Sequence, residues 1–139
     1  MTYDRKIIDG FDNVYEVDTL GNVFVVKYVN GEKKSRKLKP AVLKNGYKQV
    51  KLFDGDGKQH GMYVHRLVAI TFLPNPESKQ IVNHKDCNRA NCDISNLEWA
   101  TQSENMRHAW AMKRARLAGI VLDSLSILDL ELLPVLQLC

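Results

Sequence analysis

Cysteine is scarce in this sequence, and the set is odd in number. The three cysteines are Cys87, Cys92 and Cys139, which argues against a disulfide-stapled scaffold and suits a reducing compartment. Residues 1–10 are charged and polar and lack the apolar stretch of a secretory signal. We therefore expect a cytoplasmic protein without a disulfide framework.

Basic residues are absent from the end of the chain. Residues 1–116 hold all 20 Lys and Arg and 13 of the 16 Asp and Glu, a net charge of +7, whereas residues 117–139 carry −3. A basic body favours polyanionic partners through counterion release, although an ordinary solvated surface can carry the same charge. Residues 118–139 form an apolar, acidic tail whose three acids and Pro134 argue against a membrane span. We assign that tail no role.

The first half of the chain has the composition of β-strands. Segments rich in β-branched and aromatic residues alternate with Asn-Gly and Asp-Gly pairs, which are strong signals for hairpin turns. The predicted strands are residues 14–17, 22–29, 47–53 and 62–64. They indicate a small antiparallel sheet whose hairpins carry a dense run of basic residues between positions 33 and 39.

The second half mixes helix and strand. Residues 65–72 have the apolar spacing of a short helix, which Pro74 and Pro76 would end because proline cannot continue a helical hydrogen-bond ladder. Two strands and a polar loop between them are predicted next, at residues 80–84, 97–100 and 85–95.

A capping box opens the last predicted helix. Thr101 and Glu104 have the spacing that satisfies free backbone donors at a helix start. The helix should run from Gln102 to about Leu117 and end near Gly119.

These elements predict a cluster of polar side chains. Asn105 and His108 lie three positions apart and share a helix face. Asn83 and His84 end a strand whose partner leads into that helix, and Asn96 lies where the loop returns. We expect a site at the junction of the two strands and the helix.

The same residues resemble a known motif. Residues 83–91, 95–101 and 104–109 are similar to the HNH motif of phage and intron-encoded homing endonucleases, and residues 65–69 resemble the segment that precedes it. Upstream, Ile8 to Phe11, Tyr15 to Val17, Gly21 to Val23 and Gly46-Tyr47 resemble the small DNA-binding module called NUMOD4. The resemblance implies an α+β fold: a small antiparallel β-sheet module, residues 1–60, followed by a ββα-metal (His-Me finger) nuclease core, residues 61–117.

The resemblance also implies roles for individual residues. His84 would be the general base and Asn96 the residue that pins the connecting loop, while Asn83 and Asn105 match the positions of metal ligands for Mg²⁺ or Mn²⁺. Two further histidines are expected to support them, namely His65 and His108. Some relatives carry Asp at position 83, and a neutral amide binds Mg²⁺ less strongly than a carboxylate, so we expect a weak metal site.

The implied function is metal-dependent hydrolysis of phosphodiester bonds in double-stranded DNA, with one site nicking one strand and leaving 5′-phosphate and 3′-hydroxyl ends. We expect a monomer or weak dimer, with no membrane partner, acting in the bacterial host cytoplasm if the chain is phage-encoded. Charge and position predict DNA contacts at Lys33, Lys34, Arg36, Lys37, Lys39, Lys44, Lys48, Arg66, Lys85, Arg89 and Arg107.

Two other functions compete with this hypothesis. The first is a DNA-binding module of the same fold that does not cut. The second is a structural zinc-binding interaction protein, with His84, Cys87, Cys92 and His108 as ligands. The two tryptophans, Trp99 and Trp110, are expected to pack the core rather than to stack on bases.

Overall fold

The structure is a computed structural model and describes residues 4–117. The predicted helix end near Gly119 and the tail at residues 118–139 lie outside the described residues. Within the described range the strands are β1 (Arg5–Ile7), β2 (Tyr15–Asp18), β3 (Val23–Val29), β4 (Glu32–Lys37), β5 (Ala41–Val42), β6 (Lys48–Phe53), β7 (Gln59–Tyr63), β8 (Ile81–His84) and β9 (Leu97–Ala100). The helices are α1 (Val64–Phe72) and α2 (Gln102–Leu117), and a 3-10 turn, Ile94–Asn96, precedes β9.

All strand pairs are antiparallel, and they form three sheets rather than two. Strands β1 to β4 make a four-stranded sheet, β5 to β7 a three-stranded sheet, and β8 and β9 a hairpin. The single sheet predicted for the first half is therefore divided. Pro40 lies between β4 and β5, and proline cannot donate a ladder hydrogen bond, which favours a break at this point.

Strand β4 was not among the predicted strands, since every residue in it is exposed and no apolar alternation marks it. Its pairing with β3 supplies the strand conformation, from Phe24 opposite Lys37 to Val29 opposite Glu32. The turn between them has positive φ at both central residues, 52° at Asn30 and 79° at Gly31. That is the geometry of a type I′ hairpin turn, which Asn-Gly favours.

One cluster of buried apolar side chains draws on both halves of the chain. Helix α1 buries Leu67 and Val68 against residues from the sheets, such as Val17 and Leu52, and the cluster continues to Leu97 on β9. Packing across the whole described range therefore holds the β8–β9 hairpin against the larger sheets. The boundary proposed near residue 60 stays a prediction.

The turn after β2 docks directly on the loop that precedes β9. The amide of Ile94 donates to the carbonyl of Thr19 at 2.8 Å. Gly21 has a φ of +87°, and a Cβ atom placed there would lie 2.7 Å from Cβ of Cys92. The turn thus needs glycine both for its backbone conformation and for the close approach.

Replacing Gly21 with alanine should lower the free energy of unfolding by about 1 to 3 kcal/mol, because the new methyl group meets Cys92 and the backbone is left-handed. Urea unfolding followed by circular dichroism measures the change. Gly31→Ala is the matched control, since Gly31 has a φ of +79° but nothing within 4 Å of the added Cβ. Equal losses in both variants would show that the contact with Cys92 contributes nothing.

Candidate active site

One cleft of about 290 Å³ gathers the side chains that the sequence singles out. Asn83 and His84, at the end of β8, line it together with Asn105 and His108 on α2. Asn83 and His84 are each only 5% exposed, and His108 is 1% exposed. The hairpin and helix therefore bring the predicted residues to one place, although their roles stay predictions.

The capping box directs α2 into this position. The amide of Thr101 donates to Oε2 of Glu104 at 2.8 Å, and the amide of Glu104 donates to Oγ1 of Thr101 at 3.2 Å. This confirms the predicted start of the helix. Lys79 also donates to Glu104 at 3.1 Å, which ties the helix start to the segment before β8.

Glu98 fixes the orientation of the Asn83 side chain. Nδ2 of Asn83 donates to Oε1 of Glu98 at 2.9 Å, across the hairpin where the two residues are direct partners. An ionised carboxylate only accepts hydrogen bonds, so the amide nitrogen must face it and the amide oxygen points away. Sequence analysis did not identify Glu98, although pairing the predicted strands residue by residue would have placed it opposite Asn83.

Asn96 holds the loop between β8 and β9. Its Nδ2 donates to Oδ1 of Asp86 at 2.9 Å and to the carbonyl of Asn91 at 3.0 Å, while its Oδ1 accepts from the amide of Asp86 at 3.0 Å. Burial alone would raise the pKa of Asp86, but hydrogen bonds from Asn91, the Asn88 amide and Asn96 bring it below its usual value. An ionised carboxylate therefore lies beside His84 at neutral pH.

Aromatic rings surround His84. Its ring centroid lies 4.9 Å from that of His65 on α1 and 5.8 Å from that of Tyr47, and His65 is stacked on Tyr47 at 4.9 Å. The Arg89 guanidinium places Tyr47 here, because it donates to the carbonyl of Asn45 at 2.8 Å and lies 5.1 Å from the Tyr47 ring centroid. Tyr47 comes from the first half of the chain, and sequence analysis did not assign it to the site.

Burial keeps both imidazoles neutral. Desolvation lowers the pKa of His84 below its usual 6.5, with the Asp86 carboxylate opposing the shift and Arg89 adding to it. Desolvation lowers the pKa of His65 further, to about 3, with smaller contributions from His84 and Arg66. At pH 7 each ring therefore carries one N–H and one free lone pair.

The four residues of the alternative zinc site do not all converge, since His84, Cys87 and His108 line the cleft and Cys92 does not. Sγ of Cys87 lies 3.9 Å from Nδ1 of His108 in the cleft, but Cys92 is buried in the core against Gly21. Within residues 4–117 no three His, Cys, Asp or Glu side chains are arranged to hold a metal ion. Burial also raises the pKa of both thiols, which disfavours the thiolate that zinc requires.

Comparison with known proteins identifies this arrangement. Residues 62–107 match the family model described as HNH endonuclease. This segment is therefore of the HNH endonuclease type. The chain is 38% identical over 103 residues to DNA endonuclease I-HmuI of Bacillus phage SP01, a match that covers 74% of the chain and 55% of the relative.

Further relatives agree with this family. An uncharacterised HNH endonuclease of Acanthamoeba polyphaga mimivirus, L245, is 33% identical over 108 residues, covering 76% of the chain and 32% of the relative. A solved structure of DNA binding and cleavage by the HNH homing endonuclease I-HmuI matches 86% of the chain and 61% of its own, with 34% identity and a TM-score of 0.62. The chain thus spans about half the length of I-HmuI and a third of the mimivirus relative.

The predicted basic residues fall into two groups. Three of them serve the fold: Lys33 bonds Glu16 at 3.1 Å, Arg66 donates to the carbonyl of Gln80 at 3.0 Å, and Arg89 anchors the Tyr47 turn as described. The side chains that stay exposed along the first sheet and its following turn are Lys34, Arg36, Lys37, Lys39 and Lys44. Lys48 and Lys85 are half-buried, and Arg107 on α2 is exposed.

The two tryptophans differ in burial. Trp99 packs against the core and donates from Nε1 to the carbonyl of Leu73 at 3.1 Å, as expected. Trp110 is 54% exposed, with the Lys113 ammonium 5.4 Å from its ring centroid, so the expectation that it packs the core is wrong. It lies on the outer face of α2, while Ala111, Met112 and Ala115 are buried.

Neither helix of residues 4–117 has the length and apolarity that a membrane crossing requires.

The histidine pair makes stability depend on pH. The unfolded chain binds protons at His65 and His84 near pH 6.5, whereas the folded chain does not, so the free energy of unfolding should fall as pH drops below 6.5. For His65, whose pKa in the folded chain is about 3, the slope approaches about 1.4 kcal/mol per pH unit, and His84 adds to it in the same direction. Urea unfolding between pH 7 and pH 5 avoids the range where carboxylates titrate. His65→Phe should lower the slope, and an unchanged slope would contradict the assignment.

Proposed function

We propose that the chain is an endonuclease that hydrolyses phosphodiester bonds of double-stranded DNA and nicks one strand. The observation that carries this proposal is the convergence of a neutral, buried His84 with Asn83 and Asn105 on one cleft, within the segment that matches the HNH family. The published description of I-HmuI, DNA binding and cleavage, supports the same substrate.

His84 accepts a proton from the attacking water. A general base must be unprotonated at the working pH, and the lowered pKa of His84 ensures that state at pH 7. Asn96 contributes to this proton transfer indirectly, because its hydrogen bonds to Asp86 and Asn91 hold the loop that follows His84 in place. The Asp86 carboxylate stabilises the imidazolium that forms once the proton is transferred.

Asn83 and Asn105 provide the ligands for a divalent ion, Mg²⁺ or Mn²⁺. HNH nucleases generally depend on a metal ion, and the residues present fit one: the Glu98 bond turns the Asn83 oxygen away from the carboxylate, and Asn105 lines the same cleft. Amide oxygens are hard ligands that suit these ions. When bound, the ion stabilises negative charge on the scissile phosphate and the leaving oxygen.

The β3–β4 hairpin provides phosphate contacts outside the cleft. Its solvent-exposed cations include Lys34, Arg36 and Lys37 on β4. We propose that this hairpin and the rest of residues 1–60 act as a NUMOD4-like DNA-binding module, with Lys39, Lys44, Lys48, Lys85 and Arg107 as further contacts. Arg66 and Arg89 donate hydrogen bonds to backbone carbonyls and so stabilise the fold. They contact DNA only in positions that keep those bonds.

Replacing Lys34, Arg36 and Lys37 together with glutamine should weaken DNA binding and flatten its dependence on salt. Each phosphate contact that is lost reduces the slope of log affinity against log salt by about 0.9 on duplex DNA. Fluorescence anisotropy with a labelled duplex at several salt concentrations measures both quantities. Lys58→Gln, at an exposed lysine in the turn between β6 and β7, is the control for loss of charge elsewhere. A salt slope equal to that of the native chain would contradict the proposed surface.

The proposed activity is tested with supercoiled plasmid in Mg²⁺ or Mn²⁺. Nicked circles should form before linear DNA, because one site cuts one strand and a double-strand break needs two molecules. A chelator should stop the reaction. Binding of the plasmid without cleavage in either metal would instead favour the rival hypothesis, a DNA-binding module of the same fold.

A further inference from the structure

Two buried ring nitrogens, on neighbouring imidazoles of the site, have no hydrogen-bond partner among residues 4–117. They are Nδ1 of His65 and Nε2 of His84. Both side chains are more than nine-tenths buried, and their ring centroids are 4.9 Å apart with an angle of 57° between the planes. The two unpartnered atoms thus belong to neighbouring imidazoles.

Leaving both atoms unpaired would be costly. A buried polar atom without a partner costs about 1 to 3 kcal/mol, and a neutral imidazole has one donor and one acceptor nitrogen. If one of the two atoms carries a proton and the other a lone pair, a single hydrogen bond satisfies both. With the ring centroids 4.9 Å apart, a small rotation of the rings completes that bond.

The direction of the bond decides the chemistry of His84. Nε2 of His84 is buried, although the ring lines the cleft. Nδ1 is therefore the ring nitrogen that is available to a water molecule in the cleft. That atom can accept a proton only if the ring hydrogen is on Nε2. The useful arrangement therefore has Nε2–H of His84 donating and Nδ1 of His65 accepting.

We propose that His65 is a positioning residue that accepts a hydrogen bond from Nε2–H of His84 and so keeps Nδ1 of His84 free to take the proton from water. This inference rests on the proposed nuclease function. His65 suits the role because helix α1 carries it and Tyr47 stacks on its ring, which fixes the acceptor in place.

The first test is the tautomer of His84, read from ¹⁵N chemical shifts of the imidazoles in the full chain at pH 7. The native protein should show a protonated Nε2 and an unprotonated Nδ1. His65→Phe keeps an aromatic ring against Tyr47 but removes the acceptor, and it should give a mixture of tautomers. A proton on Nδ1 in the native protein, or the native tautomer in His65→Phe, would overturn the proposal.

The second test is kinetic, with nicking of plasmid as the assay. His65→Phe should lower kcat by about 10- to 100-fold with KM unchanged, and His65→Gln, which retains an acceptor, should recover much of the loss. His60→Gln removes a histidine that bonds Asp54 in a distant turn and should change neither kcat nor the tautomer. Equal losses of kcat in His65→Phe and His65→Gln would contradict a role through hydrogen bonding.

The two proposals fail separately. If the native chain shows the Nε2–H tautomer and loses it in His65→Phe but cuts no plasmid, the histidine pair is supported and the nuclease function is wrong. If the chain cuts plasmid while His84 has the same tautomer with and without His65, the positioning role is wrong. Thermal melts of each variant establish that it is folded before either result is interpreted.

Discussion

Replacing His84 with alanine is expected to lower the rate of DNA nicking by about 10²- to 10⁴-fold, the usual contribution of a positioned general base. The change removes the proposed general base and leaves Asn83, Asn105 and the basic hairpin in place. Affinity for duplex DNA should therefore stay close to that of the native chain. The loss should appear in kcat, since proton transfer occurs in the transition state and adds little to ground-state binding.

Initial rates of plasmid nicking and anisotropy of a labelled duplex separate these two effects. His60→Ala is the matched control, because it also removes an imidazole but from the β6–β7 hairpin, where His60 bonds Asp54 at 2.7 Å. Nicking at the native rate by His84→Ala would rule out this histidine as the base. Loss of binding in parallel with nicking would show that His84 serves the fold or the DNA contact instead.

Local signals in the sequence predicted much of the site. The spacing of Thr101 and Glu104 predicted where α2 begins. The predicted strand that ends at His84 placed its imidazole at the end of β8. These two features depend on residues that are close together along the chain, which is why spacing and residue type were enough. The pinning role of Asn96 came only from the family resemblance, and its side chain makes three hydrogen bonds in the connecting loop.

Features that depend on docking between distant segments were missed. Tyr47 reaches His84 because Arg89 holds the turn at Asn45, and these two residues are 44 positions apart. Strand β4 has no apolar pattern and depends on its pairing with β3. Similarly, the exposure of Trp110 follows from which face of α2 packs inward, and the sequence of that helix is too polar overall to indicate it.

The amide at position 83 should make the metal site weak, and Asn83→Asp is expected to raise affinity for Mg²⁺ by about 10- to 100-fold. A carboxylate adds a full negative charge next to a divalent ion. Unit charges at 4 Å interact by about 1 kcal/mol even in water, so the double charge of Mg²⁺ gives about 2 kcal/mol, or about 30-fold in affinity. Isothermal titration with Mg²⁺ measures the change. Saturation of the native protein in the low micromolar range would contradict a weak site, and equal midpoints in the two proteins would contradict a ligand role for residue 83.

The same substitution should make stability depend on metal, because Asn83 donates to Glu98 at 2.9 Å. An aspartate there removes the donor and puts two carboxylates side by side, so the metal-free variant should melt below the native protein and recover on adding Mg²⁺. Asn83→Asp combined with Glu98→Gln restores a donor to the pair and should remove the metal-free loss while keeping the higher affinity. A metal-free melting temperature that is equal in the single and double variants would show that Glu98 does not control residue 83, and the amide orientation on which the proposed metal site depends would lose its support.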